Sequence, residues 1–314
     1  MLNARALHYL AEVIRKGSVR RAAAALGVDA TAISRQIKAL EDEVGLGLCE
    51  RTPAGMRATE AGELLVRHHH NQKATEEAVR SRLDAMRGLH TGQVRIALGE
   101  GFIADLIAAP LQSFLARHPG IALEVNMAGV SEAVQLLKDY DTDVALLYAP
   151  PKDPELVAHA ETRHPLHLIV SPKHRLAAVT RPLELADIQH DRLVLMGNQF
   201  GMGQLVSMVA QEEGVQLMPV LRTNSVAVSR QFVLSGAGVT FMPEITVRED
   251  VQRGDLVVLP MRYPVLASAR AQIASRADRS LTVATQAFLD HLRRNMRFFR
   301  EDAPDRHCTH RLLA

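Results

Sequence analysis

The 314-residue chain has no tryptophan, two cysteines, and aromatic residues at 4% of its length. Cys49 and Cys308 cannot build a disulfide framework or a four-ligand zinc site, so a reducing compartment is expected. No apolar run approaches the ~20 residues needed to cross a bilayer, and no membrane association is expected. The opening stretch MLNARALHYLAEVIRKG places Glu12, Arg15 and Lys16 where a secretory leader would be apolar, which points to the cytoplasm. An excess of one charge is missing too: 37 Lys and Arg stand against 35 Asp and Glu, a formal net charge of +2. Catalytic signatures are equally sparse. The chain has no G-x-S-x-G, HExxH or CxxC, and Gly129-Val-Ser131-Glu-Ala133 stops one glycine short of a nucleophile elbow. His68, His69 and His70 are adjacent on a helix and point apart, while His307, Cys308 and His310 fall in a polar tail, so neither group reads as a metal site. No catalytic residue, metal or cofactor is assigned, and no enzymatic activity is expected.

What the chain does have is a sharp pattern in its first third. Between Arg15 and Lys38 stand six basic residues (Arg15, Lys16, Arg20, Arg21, Arg35, Lys38) and one acid, Asp29, followed directly by Glu41, Asp42 and Glu43. Such grouping makes a local positive face suited to a polyanion. Residues 3–16 repeat apolar positions at helical spacing (Ala6, Leu7, Leu10, Val13, Ile14), and Gly17 ends that helix. Ser18 can cap the next, VRRAAAALG, which Gly27 stops. A third helix over 30–45 puts Ile33, Ile37, Leu40 and Val44 on one face and leaves Thr31, Ser34, Arg35, Gln36 and Lys38 exposed. Two short helices joined by a tight turn, the second polar and basic near its start, form a helix-turn-helix. Pro53 and Gly55 then turn a β-hairpin wing flanked by Arg51 and Arg57. Thr59 caps a long helix to about Arg87, with Leu64, Leu65, Val79, Leu83 and Met86 as candidate seam residues.

From Val94 onward short β-branched runs alternate with helical stretches. VRIAL (94–98), IALEV (121–125), DVALLY (143–148), LHLIV (166–170), RLVLM (192–196), VLRT (220–223), GVTFM (238–242), LVVLP (256–260) and AQIAS (271–275) read as strands. Helices are expected near 102–118, 131–140, 203–214, 225–236, 243–252 and 281–299. This alternation predicts an α/β fold with a largely parallel sheet, as one large sheet or two smaller lobes.

The N-terminal residues GSVRRAAAALGV, AISRQIKALEDEVG and LCERTPAGMRATEAGELL resemble, in order, the winged helix-turn-helix of LysR-type transcriptional regulators. RHPGIALEV (117–125), DVALL (143–147) and SGAGVTFMPE (235–244) fit the same family more loosely. The resemblance implies a winged helix-turn-helix DNA-binding domain over 1–58 and a linker or dimerisation helix over 59–90. It implies next a two-lobed, periplasmic-binding-protein-like (Rossmann-like) effector domain over 91–300, then a tail over 301–314. Lobe 1 would hold 91–162 and 268–300, lobe 2 would hold 163–267, and the chain would cross near 162 and 267. Implied partners are double-stranded promoter DNA, a small-molecule effector, RNA polymerase if the protein activates, and further copies of the chain as a homodimer or homotetramer.

By the same resemblance Ala30, Thr31, Ser34, Arg35 and Gln36 face the major groove, with Lys38 at its margin. Ser18, Arg20 and Arg51 hold the DNA backbone. Members of the family often carry Gln-Pro where this chain has Ala30-Thr31, so a base-reading amide is missing. The effector would bind between the lobes, near Glu100, Gly101, Phe102, Val130, Ser131, Asn198, Gln199, Phe200, Gln204 and Ser225. These positions lie at strand–helix junctions, where unpaired N–H groups collect. Carboxylate-binding relatives commonly have Ser or Thr near Gly101 and Val130. Here Glu100 adds a negative charge instead, and an effector with a cationic or donor group facing it is expected. A second reading starts from Gly99-Glu-Gly101-Phe-Ile-Ala104, with Glu124 twenty residues further on. It resembles a dinucleotide fingerprint and would make the protein a nucleotide (NAD(H))-sensing regulator or a reductase.

Overall fold

The computed structural model describes residues 2–88 and 91–300; the expected tail, with His307, Cys308 and His310, lies outside the described residues. The chain divides into two compact units, residues 1–80 with 278–282, and the remainder. No helix among the described residues is long and apolar enough to cross a membrane.

The first unit opens with α1 (Ala4–Lys16), α2 (Val19–Leu26) and α3 (Ala30–Val44). Each ends where glycine takes a left-handed backbone, at Gly17, Gly27 and Gly45. Asn3 caps α1 by accepting from the Arg5 and Ala6 amides. Leu7, Leu10, Val13, Ala22, Ile33, Ile37, Leu40 and Leu48 form one core, so the periodic apolar faces read from the sequence meet as expected. The wing is β1 (Cys49–Thr52) and β2 (Gly55–Ala58), antiparallel with Thr52 opposite Gly55. The Met56 amide donates to the Gly17 carbonyl at 2.8 Å, pinning the wing to the turn between α1 and α2. Thr59 caps α4 (Glu60–Met86) through the Gly62 amide. At Gly62 a Cβ would fall against the Leu48 carbonyl oxygen, so only glycine lets α4 start this close to the wing.

The second unit begins β3 (Gly92–Leu98), α5 (Ile103–Ala108), α6 (Pro110–Arg117), β4 (Ile121–Met127), α7 (Val130–Lys138), β5 (Val144–Tyr148). One helix was expected over 102–118. Instead Ala109 leaves helical geometry and Pro110 starts a new helix, because proline cannot donate the amide that continuation needs. The chain crosses between lobes from β6 (Leu156–Arg163) to β7 (Leu166–Val170). There follow β8 (Leu193–Met196), α8 (Gly201–Glu212), β9 (Pro219–Thr223), α9 (Val226–Leu234), β10 (Thr240–Pro243), α10 (Arg248–Arg253), β11 (Val257–Leu259) and α11 (Pro264–Ala267). The return crossing enters β12 (Arg270–Arg276), and α12 (Val283–Asn295) and a short turn at Arg297–Phe299 close the lobe.

Lobe 1 has the sheet order β4-β3-β5-β12-β6, and lobe 2 orders β10-β7-β11 beside the pair β8-β9. The expectation of a largely parallel sheet is corrected. β3 runs parallel to β4 and β5, but β12 runs antiparallel to β5 and β6, and β7 antiparallel to β10 and β11. The antiparallel strands are those next to the two crossings, where the chain enters a sheet from the far lobe and not through a βαβ turn.

Candidate nucleic-acid interface and effector cleft

The first site is the start of α3. Asp29 precedes it, and its carboxylate accepts from the Thr31 amide at 2.7 Å and the Thr31 hydroxyl at 2.5 Å. Those hydrogen bonds hold the Asp29 carboxyl below its usual range, with Arg35 adding a smaller attraction. Ile33, Ile37 and Leu40 are buried beneath, so Thr31, Ser34 and Arg35 stand exposed on the opposite side. Arg20 and Arg51 are exposed as well, and Ser18 sits half-buried as the N-cap residue of α2. Ala30 and Gln36 are half-buried, and Ala30 packs against the core. Lys38 pairs with Asp42 one turn on, at 3.1 Å, so its charge is partly engaged within the helix. Cys49, in the wing, has its thiol pushed up to about 11 by burial.

The second site is the seam between the lobes of the second unit. The C-terminal ends of β3, β5 and β8 converge there, as ligand clefts in open α/β sheets do. A cavity of about 50 Å³ is lined by Glu100, Gly101, Phe102, Val130, Tyr148, Met196, Phe200 and Val226, among others. Its walls are mostly apolar. Burial raises the Tyr148 phenol, whose hydroxyl donates to the His164 carbonyl at the first crossing, 2.8 Å away. Phe102 packs on Phe298 with centroids 4.6 Å apart.

Half of the expected effector residues do something else. Ser131, Asn198, Gln199, Gln204 and Ser225 do not line this cavity. Gln204 Nε2 donates to Ser131 Oγ at 3.1 Å, and the Ser131 amide reaches the Gln199 carbonyl at 3.5 Å, so these three close one lobe on the other. Asn198 accepts from Ser207 within lobe 2. Glu100 is the sharpest departure. Its carboxylate reaches across to the start of α9, accepting from the Ser225 hydroxyl at 3.0 Å, the Val226 amide, and the Ala227 amide at 3.3 Å. Glu100, expected to face a cationic effector, has three of its four lone-pair sites taken by donors from the protein itself. The signal was present in the sequence as Thr223-Asn224-Ser225 heading a helix, but nothing there paired it with a residue 125 positions away.

The dinucleotide reading finds no matching geometry. Glu124 pairs with Arg95 in mid-strand, three residues before the strand ends at Met127 opposite Leu98. The fingerprint needs its acid at that end, beside the glycine turn. No cluster of metal-ligating side chains occurs among the described residues.

Comparison with known proteins gives the family of both units. Residues 4–63 match the family described as bacterial regulatory helix-turn-helix protein, lysR family, and residues 87–297 match the LysR substrate binding domain. The regulator CbbR of Rhizobium meliloti is 30% identical over 294 residues, covering 90% of both chains. CbbR of Xanthobacter flavus is 31% identical over 310 residues, covering 96% of this chain and 90% of the relative. Among solved structures, a full-length OxyR variant from Pseudomonas aeruginosa superposes with a TM-score of 0.66 at 18% identity, covering 97% of this chain and 99% of its own. The effector binding domain of QuiR, in complex with shikimate, superposes at 0.54 and 19% identity over 65% of this chain and 97% of that domain. A helix-turn-helix with an exposed basic face, joined to a two-lobed α/β unit with a cleft at the strand ends, thus has its counterpart in both matches: the chain belongs to the LysR family of DNA-binding transcriptional regulators, with an effector-binding domain following its helix-turn-helix.

Proposed function

We propose that this protein acts in the cytoplasm as a non-enzymatic regulator that grips promoter DNA with α3 and senses an effector in the cleft between its lobes. The observation that carries the reading is the first two turns of α3. Thr31, Ser34 and Arg35 are exposed there while Ile33 and Ile37 on the opposite side are buried, which is how a recognition helix presents its side chains. Arg35 supplies a guanine or phosphate contact, Ser34 and Thr31 shorter polar contacts, and Arg20 and Arg51 hold the backbone on either side.

Two copies are needed to read a pseudo-palindromic site. Leu64, Val79, Leu83 and Met86 of α4 are all exposed, which supports a dimer seam along that helix, and a tetramer follows if the effector domains also associate. Contact with RNA polymerase belongs to this reading if the output is activation. The relative from Allochromatium vinosum is named a RuBisCO operon regulator, so RuBisCO operon promoters and the gene's own upstream region are the fragments to try first.

In a gel-shift titration at fixed salt, Arg35→Ala is expected to weaken operator binding by about 1–3 kcal/mol, roughly 5- to 150-fold. Unchanged affinity would remove α3 from the interface.

A further inference from the structure

The Glu100 contact does more than bridge two lobes. Glu100, Gly101, Val226, Thr246 and Phe298 line the small cavity of about 50 Å³ and also a larger depression of about 410 Å³. The contact is therefore a partition within one interlobe space. The smaller side is too tight for a metabolite, while the larger alone already exceeds the ~300 Å³ at which small-molecule sites begin.

We propose that Glu100 is a tethered internal ligand: its carboxylate occupies the donors at the start of α9 and latches the lobes shut in the absence of any anionic effector. A carboxylate held by a hydroxyl and two backbone amides at a helix start is charge-assisted at each bond and sits at the positive end of the helix. An external carboxylate can reach those donors only by displacing a group that is covalently attached, and hence present at high effective concentration. It would also enter beside the displaced Glu100 charge. Glu100 is thus the residue that sets specificity, making the wild-type cleft indifferent to small carboxylates. The consequence for effector choice rests on the cleft being the effector site. The latch itself is read independently of any effector.

The test is hydrogen exchange in the full-length protein, followed by mass spectrometry on peptides covering residues 224–230. Wild type, Glu100→Ala and Glu100→Gln are compared in ~100 mM sodium acetate and in sodium chloride of equal ionic strength. In chloride, Glu100→Ala is expected to exchange about 10- to 100-fold faster than wild type in this segment, as for a lost charged acceptor. Acetate should restore most of that protection in Glu100→Ala and change nothing in wild type. Glu100→Gln keeps the shape but not the charge, so it should lie between the two and ignore acetate. Wild-type protection in Glu100→Ala, equal protection of wild type by acetate, or no acetate effect on a folded Glu100→Ala would each overturn the proposal. Should Glu100→Ala fail to fold, Glu100→Gln decides: faster exchange supports the latch, and unchanged exchange overturns it.

Discussion

Gly201 lies where the two lobes approach closely. It opens α8, and a Cβ at this position would fall against the Tyr148 carbonyl oxygen at the end of β5. Gly129 does the same on the other side, facing the Gln199 carbonyl. Two glycines thus let two backbones meet where any side chain would hold them apart. Gly201→Ala is expected to lower the stability of the effector unit by about 1–3 kcal/mol, the range for overpacking a tight contact, seen as an earlier thermal transition. An unchanged transition would mean that the lobes do not press together at this point. Chemistry at this scale was only partly legible in the sequence. Arg35 and Ser34 could be assigned to an exposed face because helical periodicity puts Ile33 and Ile37 on the opposite one. Glu100 could not be assigned, since its partners lie about 125 residues away and a carboxylate next to a glycine turn carries no mark of where it points.

Among elements, α3 was read from its sequence nearly residue for residue. Its apolar stripe is a local signal, while the cap at Asp29 and the end at Gly45 come from the structure. Two elements show where such signals fail. The strand β6, LVAHAETR, alternates so weakly and is so exposed that composition did not mark it; it is an edge strand held by its ladder to β12. The helix expected over 102–118 kept its apolar periodicity across Pro110, and the break between α5 and α6 came from proline's missing amide instead. The stability of α3 itself rests on its seat. Leu40 is 1% exposed and packs in the same core as Leu7 and Leu10, so Leu40→Ala is expected to cost about 2–5 kcal/mol. Because α3 carries the proposed groove contacts, operator binding should fall in parallel, while the effector unit keeps its own thermal transition. Loss of both transitions together would show that the units are not separately stable.

At the scale of the whole molecule, the histidines tie stability to pH. His69, His159 and His291 all have their pKa lowered below the ordinary 6.5, and burial is the main cause in each. His291 is the clearest case. It lies on α12 against Phe114, with Nε2 close to the Pro110 carbonyl at 2.8 Å and Ser113 Oγ at 3.0 Å. The positive groups of Arg117, His118 and Arg294 oppose its protonation further, while the bond to Pro110 works the other way. The sign follows from proton binding. Below about pH 6.5 the unfolded chain protonates these rings and the folded chain resists, so the unfolded state gains. Their contribution is complete above 6.5 and is lost as the pH falls through 6.5 toward the lower folded-state values. Carboxylates held down by ion pairs, such as Asp187 beside Arg181, lose their contribution only at a lower pH, near and below the ordinary carboxylate range. Melting temperatures measured from about pH 8 down to about pH 5 should therefore fall first in the histidine window. His291→Gln removes one titrating ring, and its melting temperature should depend less steeply on pH there, even if it is lower throughout. An identical slope in wild type and His291→Gln would show that the ring is not held neutral by its surroundings.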